Sequence, residues 1–281
     1  MTSPIPQITL NNGVTIPQVG FGVFQIPPEE TTDAVLAALE AGYRHIDTAQ
    51  MYGNEKQVGE AIAQSGLDRS EIFVTSKLNN DSHDPAAAKA ATARSVEALN
   101  GPMDLYLVHW PMPAVGDYVD TWRAMEEALA DEQTRAIGVS NFQIAHLERL
   151  LDETDVVPAV NQIEVHPYLA QEPLRAFGAQ NAIATEAWSP IARGAVLDDP
   201  VLQQIAGETG RTVAQVALRW HVQRGDIVFP KSTHPQRMAE NLALFDFALS
   251  DDQMSRINGL NTGERIGPNP DDFNWIPGTP R

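Results

Sequence analysis

The chain has 281 residues, 43% of them hydrophobic and 20% charged, which is the composition of a folded globular protein and excludes a disordered one. Its net charge of −18 argues against nucleic-acid binding, which needs clustered positive charge to replace counterions on phosphate. The absence of cysteine excludes disulfides, thiolate metal sites and cysteine nucleophiles, and the spacing of the seven His residues suggests no metal.

The N-terminal sequence MTSPIPQITL lacks the basic start and apolar core of a signal peptide, and no apolar run is long enough to span a bilayer. We therefore expect a cytoplasmic protein with no membrane partner. The sequence shows no clear apolar surface patch, so a monomer is the expected state.

Residues 8–20, ITLNNGVTIPQVG, place alternating apolar residues on both sides of an Asn-Asn-Gly turn, which predicts a β-hairpin. After it, short apolar runs alternate with segments whose apolar residues recur three and four positions apart, as in 31–42, 84–100 and 117–132. This alternation predicts buried parallel strands joined by amphipathic helices. The predicted strands are 19–23, 43–47, 72–77, 103–109, 135–140, 159–164, 182–188 and 226–230.

Eight such units are enough to close a (β/α)8 TIM barrel, which is an α/β fold. No linker or shift in composition divides the chain, so we expect a single domain over residues 1–281. The segment 258–281 has no periodicity but contains Gly, Pro, Phe273 and Trp275, and we interpret it as a C-terminal loop at the barrel mouth. The alternative is a frayed terminus.

Polar or aromatic residues stand at the C-terminal ends of the predicted strands, where the loops of a barrel converge and its chemistry is located. Each one alone has an ordinary explanation, such as a helix cap, a solvated side chain or a buried histidine. Their shared position at one end of the barrel favours a site. They are Asp47, Lys77, His109, Ser140 with Asn141, Gln162 with Glu164, Trp188 and Lys231.

The first three of these residues, together with Tyr52, suggest proton-transfer chemistry. A tyrosine with its ordinary pKa of about 10 is a poor proton donor at neutral pH, but an adjacent ammonium such as Lys77 lowers that pKa. Asp47 is the natural counter-ion for a buried lysine. We expect Tyr52 to be the general acid, tuned by Lys77 and anchored through Asp47. Neutral His109 would orient a carbonyl oxygen or share the proton relay.

Such a site suits carbonyl reduction, which needs a hydride source that no amino acid provides. A nicotinamide cofactor would serve, yet no GxGxxG motif lies between a strand and a helix, and Gly20 and Gly22 are better explained by close packing. Barrels often bind phosphate near their last strands. There the segment 229–241, FPKSTHPQRMAEN, contains Lys231, Ser232, Thr233 and Arg237, with a solvated basic helix start as the alternative.

The chain resembles the aldo-keto reductases in six ordered motifs: GYRHIDTAQMYGNE (42–55), FVTSKL (73–78), DLYLVHWP (104–111), VSN (139–141), NQIEVHPY (161–168) and FPKSTHPQRMAEN. The resemblance extends from the hairpin to the tail and is greatest to the bacterial branch that includes 2,5-diketo-D-gluconate reductase. It implies an NADPH-dependent reductase that converts aldehydes, ketones or dicarbonyl compounds to alcohols and transfers the pro-R hydride.

The resemblance also implies roles for individual residues. The catalytic tetrad falls on the four residues already reached from the strand ends and from Tyr52, namely Asp47, Tyr52, Lys77 and His109. The resemblance gives the nicotinamide amide to Ser140, Asn141 and Gln162, the ring face to Trp188, and the pyrophosphate to Ser189, Pro190, Ile191 and Arg193. It gives the 2′-phosphate to Lys231, Ser232, Thr233 and Arg237, and the adenine to Glu240 and Asn241, which implies NADPH over NADH.

One position departs from the family pattern. Asn79 follows Lys77 and Leu78 where many relatives have Trp, which predicts a wider or more polar pocket wall. Phe24, Trp110 and Trp275 are expected to line the rest of a pocket for a small carbonyl substrate, with plain packing as the alternative.

Two other functions stay open from the sequence. One is a cofactor-binding regulatory protein of the same fold without turnover, against which the intact tetrad argues. The other is an unrelated barrel isomerase or hydrolase, which would not bind NADPH. Titration with NADPH, followed by a screen of carbonyl substrates, separates these three functions.

Overall fold

The computed structural model describes residues 5–279, so the first four and last two residues of the predicted 1–281 domain lie outside the described residues. The strands are Gln7–Thr9 (β1), Thr15–Pro17 (β2), Phe21–Gly22 (β3), His45–Asp47 (β4), Phe73–Leu78 (β5), Leu105–Val108 (β6), Ile137–Ser140 (β7), Val160–Glu164 (β8), Ala184–Trp188 (β9) and Ile227–Val228 (β10). The helices are Pro28–Ala41 (α1), Glu55–Gln64 (α2), Pro85–Ala98 (α3), Tyr118–Ala130 (α4), Ile144–Glu153 (α5), Glu172–Gln180 (α6), Pro200–Thr209 (α7), Val213–Gln223 (α8), Pro235–Leu242 (α9) and Asp251–Asn258 (α10).

The strands from β3 to β10 form one parallel sheet in chain order, and at least one helix lies between each two consecutive strands. A parallel bridge between Val19 and Val228 brings the first and last of these strands together. There the Gly20 amide donates to the Val228 carbonyl at 2.7 Å, and the Val228 amide donates to Gln18 at 3.0 Å. The predicted (β/α)8 barrel with an N-terminal hairpin is confirmed. In the described part of the chain, no helix is long and apolar enough to cross a membrane.

All eight predicted barrel strands are present, but most are shorter than predicted. The run predicted at 19–23, for example, pairs fully only at Phe21–Gly22, and the run at 226–230 only at Ile227–Val228. Val23 and Phe229 stay buried beyond the paired residues. Apolar runs therefore mark where the chain is buried, which extends further than the hydrogen-bonded ladder.

Aspartate side chains fix the beginnings of several helices that follow barrel strands. Asp84 accepts hydrogen bonds from the amides of the first turn of α3, and Asp117 does the same for α4. Asp199 caps α7, which like α3 has proline in its first turn. Such caps satisfy amides that a helix leaves without partners and set where each connecting loop ends.

The hairpin β1–β2 closes the end of the barrel opposite the strand C-termini. Its residues Leu10 and Ile16 pack in one buried cluster with inward side chains of the barrel strands, among them Leu107 and Val160. The Asn12 side chain donates to the Arg135 carbonyl at 3.0 Å and ties the turn to the barrel. The barrel therefore has an apolar floor, and its polar groups lie towards the mouth.

A buried polar layer lies between this floor and the mouth. Gln162 donates through Nε2 to Oδ2 of Asp47 and to Oε2 of Glu186, both at 2.8 Å. His45 lies beside the carboxyl group of Glu186. Its Nε2 is 4.0 Å from Oε1 of Glu186 and 3.0 Å from Oγ1 of Thr75. These five side chains are almost completely buried.

Gly20 makes room for this layer. A Cβ atom at Gly20 would lie 2.5 Å from Nδ1 of His45, so a larger residue would displace the ring. At Gly22, a Cβ atom would lie 2.8 Å from the Phe229 carbonyl oxygen. Both contacts agree with the prediction that glycine is needed at these positions for close packing.

Burial keeps most of the layer uncharged. Desolvation, aided by the nearby Asp47 carboxylate, raises the pKa of Glu186 from 4.5 to about 8. Desolvation also lowers the pKa of His45 from 6.5 to about 3. At neutral pH Glu186 therefore holds its proton and His45 is neutral.

Glu186 makes the stability of the fold depend on pH. Between pH 4.5 and about 8 the unfolded chain has lost the Glu186 proton while the folded chain keeps it, so stability falls as pH rises. Relative to Glu186→Gln, the wild type should lose up to about a factor of ten in its folding equilibrium per pH unit across this window. Urea unfolding of both proteins at several pH values measures the difference.

Glu60→Gln, on the partly exposed side of α2, is the matched control for the loss of one carboxyl group. A stability difference between wild type and Glu186→Gln that stays constant from pH 5 to pH 8 would contradict the assignment of a protonated carboxyl group.

Candidate active site

The Lys77 ammonium is at the centre of the barrel mouth. Its Nζ donates to Oδ1 of Asp47 at 2.7 Å, to the Thr48 carbonyl at 2.8 Å and to the Tyr52 hydroxyl oxygen at 3.4 Å. Lys77 and Asp47 are buried. Because an ammonium has three protons, these three acceptors use all of them. The structure thus brings together three of the four residues predicted as a catalytic set.

The hydrogen bond from Lys77 leaves the Tyr52 proton free to be donated elsewhere. Tyr52 lies in the short 3-10 helix Gln50–Tyr52 that follows β4, and its hydroxyl oxygen is already an acceptor for Nζ. The phenol O–H therefore points away from the ammonium. A hydroxyl group held this way is prepared to donate to an oxygen that enters the mouth.

The pKa of Tyr52 differs from the sequence-based expectation. Burial raises it above its ordinary value of 10, while the charge of Lys77 opposes this rise. The charge of Lys77 acts in the direction that the sequence predicted, but burial outweighs it, so the net shift of the Tyr52 pKa is upward. Burial lowers the pKa of Lys77, but Asp47 and Tyr52 have a larger, opposite effect. The net pKa of Lys77 is raised, so the lysine stays cationic. At neutral pH the pair is a protonated phenol beside an ammonium.

His109 completes the predicted set. Its ring lies edge-on to Tyr52 with 5.8 Å between the ring centroids. Burial and the charge of Lys77 hold the pKa of His109 well below 6.5, so the imidazole is neutral, as the sequence predicted. Its Nδ1 is buried and has no partner among the described residues. A neutral imidazole here can share a hydrogen bond with a carbonyl oxygen without adding positive charge to the mouth.

The three residues predicted to bind a carboxamide lie side by side at the ends of β7 and β8. Asn141 donates through Nδ2 to the His109 carbonyl at 3.0 Å and to Oγ of Ser140 at 3.1 Å. Ser140 donates to the Gln162 carbonyl at 2.9 Å. Because both Nε2 protons of Gln162 are taken by carboxyl groups, its Oε1 is the atom left to accept a ligand N–H.

Trp188, at the end of β9, borders these residues. Its Nε1 donates to Oδ1 of Asn141 at 2.8 Å, which fixes one edge of the indole. The side chain is neither fully buried nor fully exposed. This leaves part of an aromatic face available for a flat ring.

The segment predicted to cross a pyrophosphate follows directly after Trp188. It has left-handed backbone at Ser189, Ala192 and Arg193, with φ of 52°, 50° and 52°. His221 lies behind it, with Nε2 3.2 Å from the Pro190 carbonyl oxygen. Non-glycine residues adopt this conformation at some cost, and such strain is found mainly where a loop has a functional shape. Ile191 is half-buried in the same loop, and Arg193 takes part in no salt bridge within residues 5–279.

The predicted 2′-phosphate residues surround the loop from β10 to α9. Lys231, Thr233 and Arg237 are exposed, whereas Ser232 is buried. Neither Lys231 nor Arg237 forms a salt bridge with another described residue, although the chain is strongly acidic. Glu240 and Asn241, predicted at an adenine, lie half-buried near the end of α9. The loop thus presents two cations that are available to an anion.

Aromatic residues border the mouth above Tyr52. Phe24 is 47% exposed, and its ring centroid lies 5.0 Å from that of Tyr52. Trp110 packs at 4.2 Å against Phe273 of the C-terminal loop, a contact that the sequence did not predict. Asn79 is half-buried beside the mouth. Trp275 accepts a hydrogen bond at its carbonyl from Asn80 at 2.9 Å, which ties the tail to the loop after β5.

The C-terminal loop is ordered against the mouth rather than frayed. Asn274 accepts from the Ala114 amide at 2.8 Å, and Asp271 lies 3.8 Å from the His146 ring. At its beginning, the Ile266 amide donates to Glu164 at 2.6 Å. The prediction of a C-terminal loop at the barrel mouth is confirmed, and the loop crosses from β8 to the segment after β5.

Some residues of the site were missed in the sequence. Thr48 contributes through its carbonyl group, for which side-chain patterns hold no signal. Glu186 was overlooked although a signal existed, because residues two apart in a strand share a face and Trp188 was already placed at the mouth. Glu164 was noted at a strand end, but the Ile266 and Gly267 amides that it binds lie far along the chain.

The chain is similar in sequence to known proteins over most of its length. The chain matches the model of the Aldo/keto reductase family over residues 18–262. An aldo-keto reductase of Mycobacterium sp. is 52% identical over 271 residues, which are 96% of this chain and 98% of that protein. Methylglyoxal reductase DkgA of Escherichia coli is 45% identical over 269 residues, which are 95% of this chain and 97% of that protein.

The fold is also similar to that of a solved structure. The crystal structure of a Gox0644 mutant in complex with NADPH matches with a TM-score of 0.93 at 44% identity, covering 97% of this chain and 100% of that chain. The matched range spans the predicted catalytic and cofactor-binding positions, whose roles stay predictions. From the extent of these matches together with the barrel, the chain belongs to the aldo/keto reductase family.

Proposed function

We propose that this protein reduces aldehydes, ketones or dicarbonyl compounds to alcohols with NADPH, and that Tyr52 is the general acid. The observation that carries the proposal is that the Lys77 ammonium donates all three of its protons, one of them to the Tyr52 hydroxyl oxygen. The Tyr52 proton is therefore directed away from the buried ion pair. The NADPH complex of Gox0644 and the name of methylglyoxal reductase DkgA support this reading.

The residues of this chain fit a nicotinamide cofactor. Oε1 of Gln162 accepts no hydrogen bond from the rest of the described chain, and it suits the N–H of a carboxamide. Trp188 would support the nicotinamide ring, and the loop from Ser189 to Arg193 would follow the pyrophosphate. Lys231 and Arg237 would hold the 2′-phosphate, with Ser232 and Thr233 donating hydroxyl groups and Glu240 and Asn241 near the adenine.

NADPH supplies the hydride when it is bound. Tyr52 donates its proton to the carbonyl oxygen of the substrate as negative charge develops there, and Lys77 stabilises the resulting phenolate. Asp47 keeps Lys77 cationic and in place. Neutral His109 orients the carbonyl oxygen. Each proposed step thus uses a proton or a charge of a side chain at the mouth.

The pocket walls favour small carbonyl substrates. Phe24 and Phe273 provide apolar surface, buried Trp110 supports Phe273, and Asn79 provides a polar edge. A dicarbonyl compound presents a second oxygen that a polar edge can bind, in agreement with the name of DkgA. Trp275 is proposed to line the far side of the pocket. We also propose that the protein acts as a cytoplasmic monomer without a nucleic-acid partner.

Two measurements test the function as a whole. NADPH titration should quench tryptophan fluorescence, and a panel of dicarbonyl compounds, keto-sugars and aromatic aldehydes under saturating NADPH should show turnover. Tight binding without turnover of any member would favour the regulatory alternative. The family match argues against an unrelated isomerase or hydrolase.

Tyr52→Phe should reduce turnover by roughly 10²–10⁴-fold, the usual contribution of a general acid, because only the donated proton is removed. The Kd for NADPH should stay within about threefold of the wild-type value, since the hydroxyl group is expected to contact substrate rather than cofactor. Steady-state kinetics and fluorescence titration measure the two effects.

Tyr168→Phe is the control, because the Tyr168 hydroxyl donates to Asp199 at 3.0 Å and makes no hydrogen bond to Lys77 or Asp47 among the described residues. This variant should keep its turnover. If Tyr52→Phe also retained the wild-type rate, Tyr52 would not be the general acid.

Arg237→Ala should raise the Kd for NADPH by about tenfold or more, because a charge-assisted hydrogen bond is lost, while the Kd for NADH changes little. The difference arises because only NADPH carries the 2′-phosphate. Isothermal titration with both cofactors measures it.

Arg123→Ala, which removes an exposed cation of α4 paired with Asp120, controls for the change in net charge. Equal losses of NADPH and NADH affinity in Arg237→Ala would argue against a 2′-phosphate site at this loop.

A further inference from the structure

The C-terminal loop is attached to the mouth through a buried carboxylate. Oε1 of Glu164 accepts from the Ile266 amide at 2.6 Å and from the Gly267 amide at 3.3 Å, and Oε2 accepts from Gly267 at 3.1 Å. His166 lies 3.0 Å from the same Oε1. Burial raises the pKa of Glu164, but the hydrogen bonds from His166 and the two amides have a larger, opposite effect. The net pKa is lowered, so the carboxylate stays charged.

These contacts place the Gly267 backbone directly against the indole of Trp188. A Cβ atom at Gly267 would overlap Cη2 of Trp188 and would lie 3.3 Å from Cζ2 and 3.1 Å from Oε2 of Glu164. The backbone of Gly267 does not have a positive φ, so its conformation permits other residues. Glycine is therefore required here by the position of the indole.

Trp188 is held at two separate places. Its Nε1 donates to Asn141 at 2.8 Å, and Asn141 is fixed by its own bonds to Ser140 and His109. The six-membered ring of the indole lies against Gly267. The hydrogen bond fixes Nε1, and the tail backbone lies against the adjoining Cζ2 and Cη2 atoms and limits how far the six-membered ring can tilt.

We propose that Gly267 is a positioning residue that sets the tilt of Trp188, with Glu164 holding the tail backbone in place for this purpose. This inference rests on the proposed function, in which Trp188 supports the nicotinamide ring. An added methyl group at position 267 would overlap the indole, so the indole would have to leave the position in which it is proposed to support the nicotinamide ring. The size of residue 188 and the absence of a side chain at residue 267 are thus matched.

A double-mutant cycle of Gly267→Ala and Trp188→Phe tests this match, because phenylalanine lacks Cη2 and Cζ2. With Trp188 present, Gly267→Ala should raise the Kd for NADPH roughly tenfold, the scale of a typical overpacking cost. In the Trp188→Phe protein, the same alanine should change this Kd by less than about twofold.

The affinity for 2′,5′-ADP separates positioning from general damage. This ligand has the adenine and 2′-phosphate groups but no nicotinamide, so Gly267→Ala should leave its Kd unchanged. Urea unfolding of the four cofactor-free proteins should show the same coupling, with alanine more destabilising beside Trp188 than beside phenylalanine.

Gly207→Ala is the matched control, since a Cβ atom there has no neighbour within 4 Å, and it should bind NADPH like the wild type. Equal effects of alanine with tryptophan and with phenylalanine at 188 would overturn the inference, as would an equal loss of 2′,5′-ADP binding. The wild type reports separately on the proposed function, because its NADPH binding and turnover do not depend on the cycle.

Discussion

The ion pair between Lys77 and Asp47 is the interaction on which the barrel mouth depends. Both groups are buried, and a buried charge without a partner is strongly destabilising. The pair joins β4 to β5, and the remaining bonds of the ammonium hold the Thr48 carbonyl and the Tyr52 hydroxyl group. Because Gln162 binds the second oxygen of Asp47, the same pair also orients the residue expected to meet a carboxamide.

Much of this arrangement is predictable from sequence, for a definite physical reason. A parallel barrel sends the C-terminal ends of its strands to one face, so Asp47, Lys77 and His109 had to converge once the strands were identified. The hairpin was predictable from its Asn-Asn-Gly turn. The order of the barrel strands follows from their order in the chain.

Other features depend on distances that a sequence does not contain. The balance between desolvation and the Lys77 charge decides the pKa of Tyr52, and it depends on how deeply the phenol is buried. The contact between Gly267 and Trp188 joins positions far apart in the chain, through a segment without periodicity. The protonated state of Glu186 likewise reflects complete burial beside Asp47 rather than any local motif.

The apolar floor has a consequence for how the catalyst is restored between turnovers. Leu10 and Ile16 seal the hairpin end of the barrel, so bulk solvent does not reach the phenol from below. In the proposed reaction Tyr52 must recover its lost proton from water that enters by the route the substrate used. Departure of the alcohol and reprotonation of the enzyme are therefore coupled through one shared opening.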